Sequence, residues 1–254
     1  MHGLPSYQKL ILALQVLLLL LLVVRLSRDR LHRVYPFFFW FLIAEALQSL
    51  CPFLITYGTW LYRDVFLVSQ TIIISFFTLV VLELLSIVLR DLKGIASIAR
   101  AYTSMAIGVA VLFSALLLGL ERSPTNLTSA FFIFERSIVS SLVFFVLLIT
   151  IFLVYYPIPL TRNIVVYFCG YAFYFLCRAA GLFAQTTGAA NLAILNGILL
   201  TGWAISVLFW LIFLNGEGEH RCLVLGHRWR PQDEGRLLQQ LQAINATLLR
   251  SARK

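Results

Sequence analysis

Apolar residues fill the first 214 positions in long unbroken stretches rather than in alternation. A window of about 19 residues resolves seven of them, at 7–26, 34–55, 65–89, 102–120, 136–156, 163–184 and 192–214. Each is near the ~20 residues that a helix needs to cross a ~30 Å hydrocarbon core. A transmembrane barrel needs segments of about ten residues with alternating hydrophobicity, and these runs do not alternate. The expected fold is therefore all-α, a polytopic seven-transmembrane-helix bundle. Polarity rises abruptly at Asn215, which divides the chain into a membrane domain (1–215) and a tail (216–254).

Composition agrees with the pattern. The chain is 61% hydrophobic and 12% charged, with a mean hydropathy of +0.91, where a soluble domain carries about 25% charged residues. A soluble enzyme, a secreted disulfide module and a disordered tail are excluded, and the principal partner is a lipid bilayer rather than nucleic acid. The positive charge is unevenly placed. Arg25, Arg28, Arg30 and Arg33 follow the first span, Arg90, Lys93 and Arg100 the third, Arg162 the fifth, and the tail adds seven more cations. The opposite side holds Lys9, Arg63, Arg122 and Arg136. Cytoplasmic loops attract Lys and Arg, so the amino terminus is expected outside and the carboxyl tail in the cytoplasm. The first run lacks a small-residue cleavage site and is followed by arginines, the pattern of a retained helix rather than a signal peptide. Seventeen arginines against three lysines point to a GC-rich genome and hence to a bacterial plasma membrane.

Charged groups inside the spans mark the candidate site, because an ionisable group at mid-membrane costs at least about 2.5 kcal/mol and so faces the bundle interior. Tyr167, Tyr171, Tyr174, Arg178, Gly181 and Gln185 recur at steps of four and three, forming one polar stripe on a helix. Such a row of phenols ending in a guanidinium either lines a pocket for an anionic or aromatic ligand or bonds to neighbouring helices. Judged by depth at 1.5 Å per residue, Glu45 is the expected partner of Arg178, with Glu135 as second choice. Glu45 shares a face with Gln48 and Pro52, and Glu83 flanks a row formed by Thr71, Ser75, Thr78 and Ser86. The candidate intramembrane polar site thus comprises Glu45, Gln48, Glu83, Tyr167, Tyr171, Tyr174 and Arg178. Small residues at Ser104 and Gly108, and at Gly197 and Thr201, are expected to mark close helix contacts.

Familiar chemistries do not fit. The lysines (Lys9, Lys93 and Lys254) lie outside the last span, which excludes a retinal Schiff base, and the histidines (His2, His32, His220 and His227) lie outside all spans, which excludes bis-histidine haem. Neither H-E-x-x-H nor a P-loop occurs. Glu217, Glu219, His220, Cys222 and His227 match no zinc spacing. No cofactor, no metal and no enzymatic activity are expected.

In the tail, Gly216 and Gly218 are expected to loosen the chain before a basic stretch with Trp229 that suits anionic lipid. Beyond Pro231, Leu237, Leu241, Ile244 and Leu248 step by four, three and four, an amphipathic helix too short to stand alone in water. It needs a membrane surface, a protein partner or a second copy of itself. Seven helices followed by such a tail are similar in architecture to the membrane sensor module of bacterial signalling proteins, a likeness that no motif carries. The expected function is a receptor-like or sensory module acting through the tail. The alternatives are a small-solute transporter and a membrane-embedded enzyme or assembly factor.

Overall fold

The computed structural model describes residues 6–55, 59–90, 101, 105, 108–109, 112, 127–155, 159–187, 192–219, 222–224, 236 and 239–247. It is almost entirely helical. The described helices long enough to name are α1 (Ser6–Arg28), α2 (Pro36–Leu54), α3 (Trp60–Val88), α4 (Leu127–Tyr155), α5 (Arg162–Thr187) and α6 (Leu192–Phe213). All six are long and apolar enough to cross a membrane, so the chain is an integral, multi-pass membrane protein. The expected span at 102–120 lies outside the described residues except at 105, 108, 109 and 112, which are helical.

α1 shows how sequence becomes packing. Leu12, Gln15, Leu19, Leu22 and Leu26 are buried, whereas Leu10, Leu14, Leu17, Leu21 and Val24 are exposed. Both sets step by three and four, so one leucine-rich helix turns one face to its neighbours and the other to lipid. A left-handed Arg30, with φ of 57°, and a 3-10 turn at Leu31–Arg33 end α1 and reverse the chain into α2. Pro36 then takes the first helical position, where its missing N–H costs nothing. The Thr59 hydroxyl caps α3 by accepting the Tyr62 N–H at 3.2 Å.

Neighbouring helices pack in chain order, α6 closes back onto α1, and α5 also reaches across to α3. The Arg25 guanidinium at the end of α1 donates to the Leu211 carbonyl near the end of α6, so these helices finish on one face, called here the tail end. Glu83 near the end of α3 meets the starts of α2 and α5 there.

Two helices extend past their expected limits. α3 starts at Trp60 rather than at 65, and α4 at Leu127 rather than at 136. A hydropathy window cuts a span where charges begin, yet a helix continues wherever those charges find partners, as Arg63 does with Asp64 at 3.0 Å and Glu135 with Arg178. Of the small residues expected to mark close contacts, Ser104 lies outside the described residues, and Gly108 is exposed, with no described residue within 4 Å of where its Cβ would be. Gly197 does meet a neighbour, its Cβ position lying 3.5 Å from the Tyr7 ring of α1, and tighter approaches join α5 and α6, with Gly170 against Trp210 and Gly181 against Leu199.

Candidate functional site

The polar residues of the interior form separate tiers along the bundle axis. The tier far from the tail end is a belt across five helices. Gln15 Nε2 of α1 donates to Ser49 Oγ of α2 at 3.3 Å. Gln48 Nε2 of α2 donates to Gln70 Oε1 of α3 at 2.7 Å, and Gln70 Nε2 donates to Glu135 Oε1 of α4 at 3.0 Å. The same oxygen accepts Arg178 Nε at 2.9 Å and Nη2 at 2.5 Å from α5. Glu135 is completely buried, while the Arg178 side chain keeps 24% of its surface.

The expected pairing of Arg178 is therefore corrected: its contact partner is Glu135, and Glu45 interacts with this pair only at longer range. Depth counted from span ends misplaced Glu135, because the run beginning at 136 left it in a loop, whereas nine residues of α4 precede and include it. Gln70 was missed altogether. It lies amid an apolar run, where one amide carries little hydropathy signal.

The middle tier is aromatic. Tyr171, Phe38, Phe41, Phe77, Phe175 and Trp210 are fully buried. Their rings meet at the tilted and edge-to-face geometries that aromatic quadrupoles prefer: Tyr171 with Trp210 at 4.8 Å between centroids, Tyr174 with Trp203 at 4.4 Å, and Phe38 with Tyr167 at 4.9 Å. The sequence stripe of Tyr167, Tyr171 and Tyr174 does face inward. Its hydroxyls do not act together, however: Tyr167 donates to Glu83, and Tyr171 has no partner among the described residues. The Trp203 and Trp210 indole N–H groups are likewise unpaired there.

The third tier is Glu83. Its carboxylate accepts the backbone N–H of Phe37 at 3.0 Å, that of Phe38 at 3.2 Å and the Tyr167 hydroxyl at 3.0 Å. The first turn of any helix leaves such N–H groups without partners, with a partial positive charge that favours an anion. Glu83 thus caps α2 from a neighbouring helix, whereas Thr71 and Ser75 of the hydroxyl row bond to their own helix. Glu83→Ala strands the two buried donors, the Phe38 N–H and the Tyr167 hydroxyl, at about 1–3 kcal/mol each, whereas Glu83→Gln keeps an acceptor. Thermal unfolding in detergent is expected to rank the alanine variant well below the glutamine variant.

The last tier binds the tail. Glu219 accepts from the Tyr35 hydroxyl at 2.6 Å, from Asn163 Nδ2 at 2.9 Å and from Thr161 Oγ1 at 3.5 Å. Asn163 also donates to the Asn215 carbonyl at 2.7 Å. Burial and the adjacent Glu219 carboxylate push the Tyr35 phenol up from its ordinary pKa, so it remains a proton donor at physiological pH. The expectation that Gly216 and Gly218 loosen the chain is corrected. A Cβ on Gly218 would sit 2.1 Å from Asn163 Oδ1, so this glycine permits a tight approach. Strand β2 (Cys222–Val224) then pairs antiparallel with β1 (Pro159–Thr161). Of the tail residues expected to interact, Leu241 is buried and Ile244 is exposed, while Leu237 and Leu248 lie outside the described residues.

One column joins these tiers. Tyr174, Tyr171, Tyr167 and Tyr35 contact in series, with centroid separations of 6.4, 5.1 and 5.0 Å. Arg178 lies one turn beyond Tyr174, and Glu219 lies on the Tyr35 hydroxyl. The chemistry on offer is charge pairing and hydrogen bonding. No known protein family matches the chain, and no curated protein or solved structure is significantly similar to it.

Proposed function

We propose that the chain is a receptor-like seven-helix membrane protein that passes a change at its intramembrane polar site to a cytoplasmic tail. The observation that carries this reading is the tyrosine column, which runs from the Arg178–Glu135 pair to the hydrogen bonds at the root of the tail. Any movement of Arg178 displaces Tyr174 on the same helix face, and the packed rings relay the displacement to Tyr35 and Glu219, since close-packed cores transmit strain.

The direction of the helices supports a seventh span. α3 ends beside the start of α5 at Glu83 and Tyr167, whereas Glu135, early in α4, lies level with Gln70, early in α3. The chain leaves α3 at the tail end and enters α4 from the opposite end, and residues 89–126 exceed the ~20 needed for that crossing. The arginines clustered at the tail end support a cytoplasmic tail. The excess of arginine over lysine supports a bacterial plasma membrane. The tail's basic stretch suits anionic lipid, and the exposed Ile244 suits a protein partner or a second copy.

The test is a spin label at Thr247 of the otherwise cysteine-free protein in nanodiscs. Asn163→Ala is expected to free the label by breaking the tail root, and Arg178→Gln to free it measurably from the far side of the bundle. If Asn163→Ala frees the label and Arg178→Gln leaves it unchanged, interior and tail are uncoupled and the sensory reading falls. Solute flux in proteoliposomes that depends on Glu45 or Arg178 would put a transporter in its place.

A further inference from the structure

The interior holds three acids among the described residues of its spans, and the structure treats each differently. Glu83 receives three hydrogen bonds at the start of α2. Glu135 receives the Arg178 guanidinium and the Gln70 amide. Glu45 lies on α2, is 9% exposed, and has no hydrogen bond or ion pair among the described residues. Its electrostatic neighbours are Arg178, Tyr174 and Tyr171 on α5 and Glu135 on α4. The residues that face this level from α1 and α3, Gln15 and Gln70, are uncharged.

Charge counting then decides the matter. Two carboxyls share the field of one guanidinium, and Arg178 is already committed by two N–H groups to Glu135. A second carboxylate would leave the group with an uncompensated negative charge in an interior where isolated ions are strongly disfavoured. We infer that Glu45 is a proton-binding site, occupied while Arg178 is held by Glu135 and emptied when Arg178 becomes free to pair with Glu45. A proton needs no cavity, and Tyr174, the electrostatic neighbour of Glu45, is itself packed against Phe41 and Trp203. The bond that breaks is the Glu45 O–H and the bond that forms is an O–H on Glu135, which gives up the guanidinium as Glu45 gains it, so the three groups hold one proton and no net charge in either pairing. The inference rests on this charge count and stands whether or not the tail carries a signal.

The test is infrared difference spectroscopy of the full chain in nanodiscs near neutral pH, reading the C=O stretch of protonated carboxyls. The native protein minus Glu45→Gln is expected to show one positive carboxyl band that shifts on transfer to heavy water. Glu135→Gln makes Glu45 the sole counter-charge to Arg178 and is expected to abolish the same band, whereas Arg178→Gln is expected to add a second of similar strength. An empty difference spectrum between native protein and Glu45→Gln overturns the inference, and that substitution removes no hydrogen bond that the fold uses. A Glu45 band that persists in Glu135→Gln overturns the exchange with Arg178.

Discussion

Glu135→Ala is expected to lower the unfolding free energy by about 3–5 kcal/mol, the range seen when one partner of a buried ion pair is removed. The reason is geometric. Glu135 Oε1 is the point where Gln70 of α3 and Arg178 of α5 converge on α4, so its loss leaves the amide without its acceptor and the guanidinium with Glu45 alone, which must first give up its proton. Glu45→Gln is expected to stay near the native stability, because Glu45 accepts no hydrogen bond among the described residues and glutamine keeps its volume. A double variant, Glu135→Leu with Arg178→Met, is expected to recover much of the loss, since removing both charges also removes the desolvation penalty. Reversible denaturation in mixed micelles checks all three. Equal losses at Glu45 and Glu135 would mean that Arg178 divides itself between them.

That contrast also marks how far the sequence alone could lead. Hydrophobic runs locate membrane helices because lipid leaves the backbone no alternative to internal hydrogen bonds, and each of the six described helices covers one of the runs, with α3 and α4 beginning before theirs. The inward face of α5 was equally legible: Tyr167, Tyr171 and Tyr174 repeat at helical spacing, and all three are buried. Pairing was not legible, because it depends on which helices adjoin and at what height. Depth arithmetic starts from the edges of hydropathy runs, and those edges fall where charges begin, so Glu135 ranks only second as the partner of Arg178 although its side chain is completely buried.

The tail root was misread for a related reason. Two glycines in a polar stretch signal looseness only when nothing nearby fills the space they leave. Asn163 fills it, from a helix more than fifty positions earlier, so Gly218 is a point of attachment. Tyr35 carries no signal of its own, and Glu219 stands out only within a stretch that matches no zinc spacing, since a tyrosine at a helix entrance and a glutamate beyond a span are ordinary in sequence. They matter because the fold brings them to 2.6 Å.

Glycine at 170 shows the opposite case, a residue whose importance lies in what it lacks. A Cβ there would meet Trp210 Nε1 at 2.1 Å and Cε2 at 2.5 Å, and the fully buried indole has no open side to retreat to. Gly170→Ala is therefore expected to cost about 1–3 kcal/mol through overpacking, and a branched side chain there to block the joining of α5 and α6. Gly108→Ala is the control. With no described residue within 4 Å of its Cβ position, that variant is expected to be neutral or slightly stabilising, because alanine favours a helix over glycine by about 1 kcal/mol. The two glycines have the same chemistry and differ only in neighbours, so the difference in melting temperature measures the α5–α6 contact directly. Trimming the indole provides the rescue: with Trp210→Leu in place, Gly170→Ala is expected to cost much less than in the native background, a coupling that contacting residues show and distant ones do not. The indole N–H has no acceptor among the described residues, so its removal forfeits packing and no hydrogen bond. If alanine at 170 is as harmless as alanine at 108, the helices do not meet there, and the tyrosine column that leans on Trp210 loses its backing.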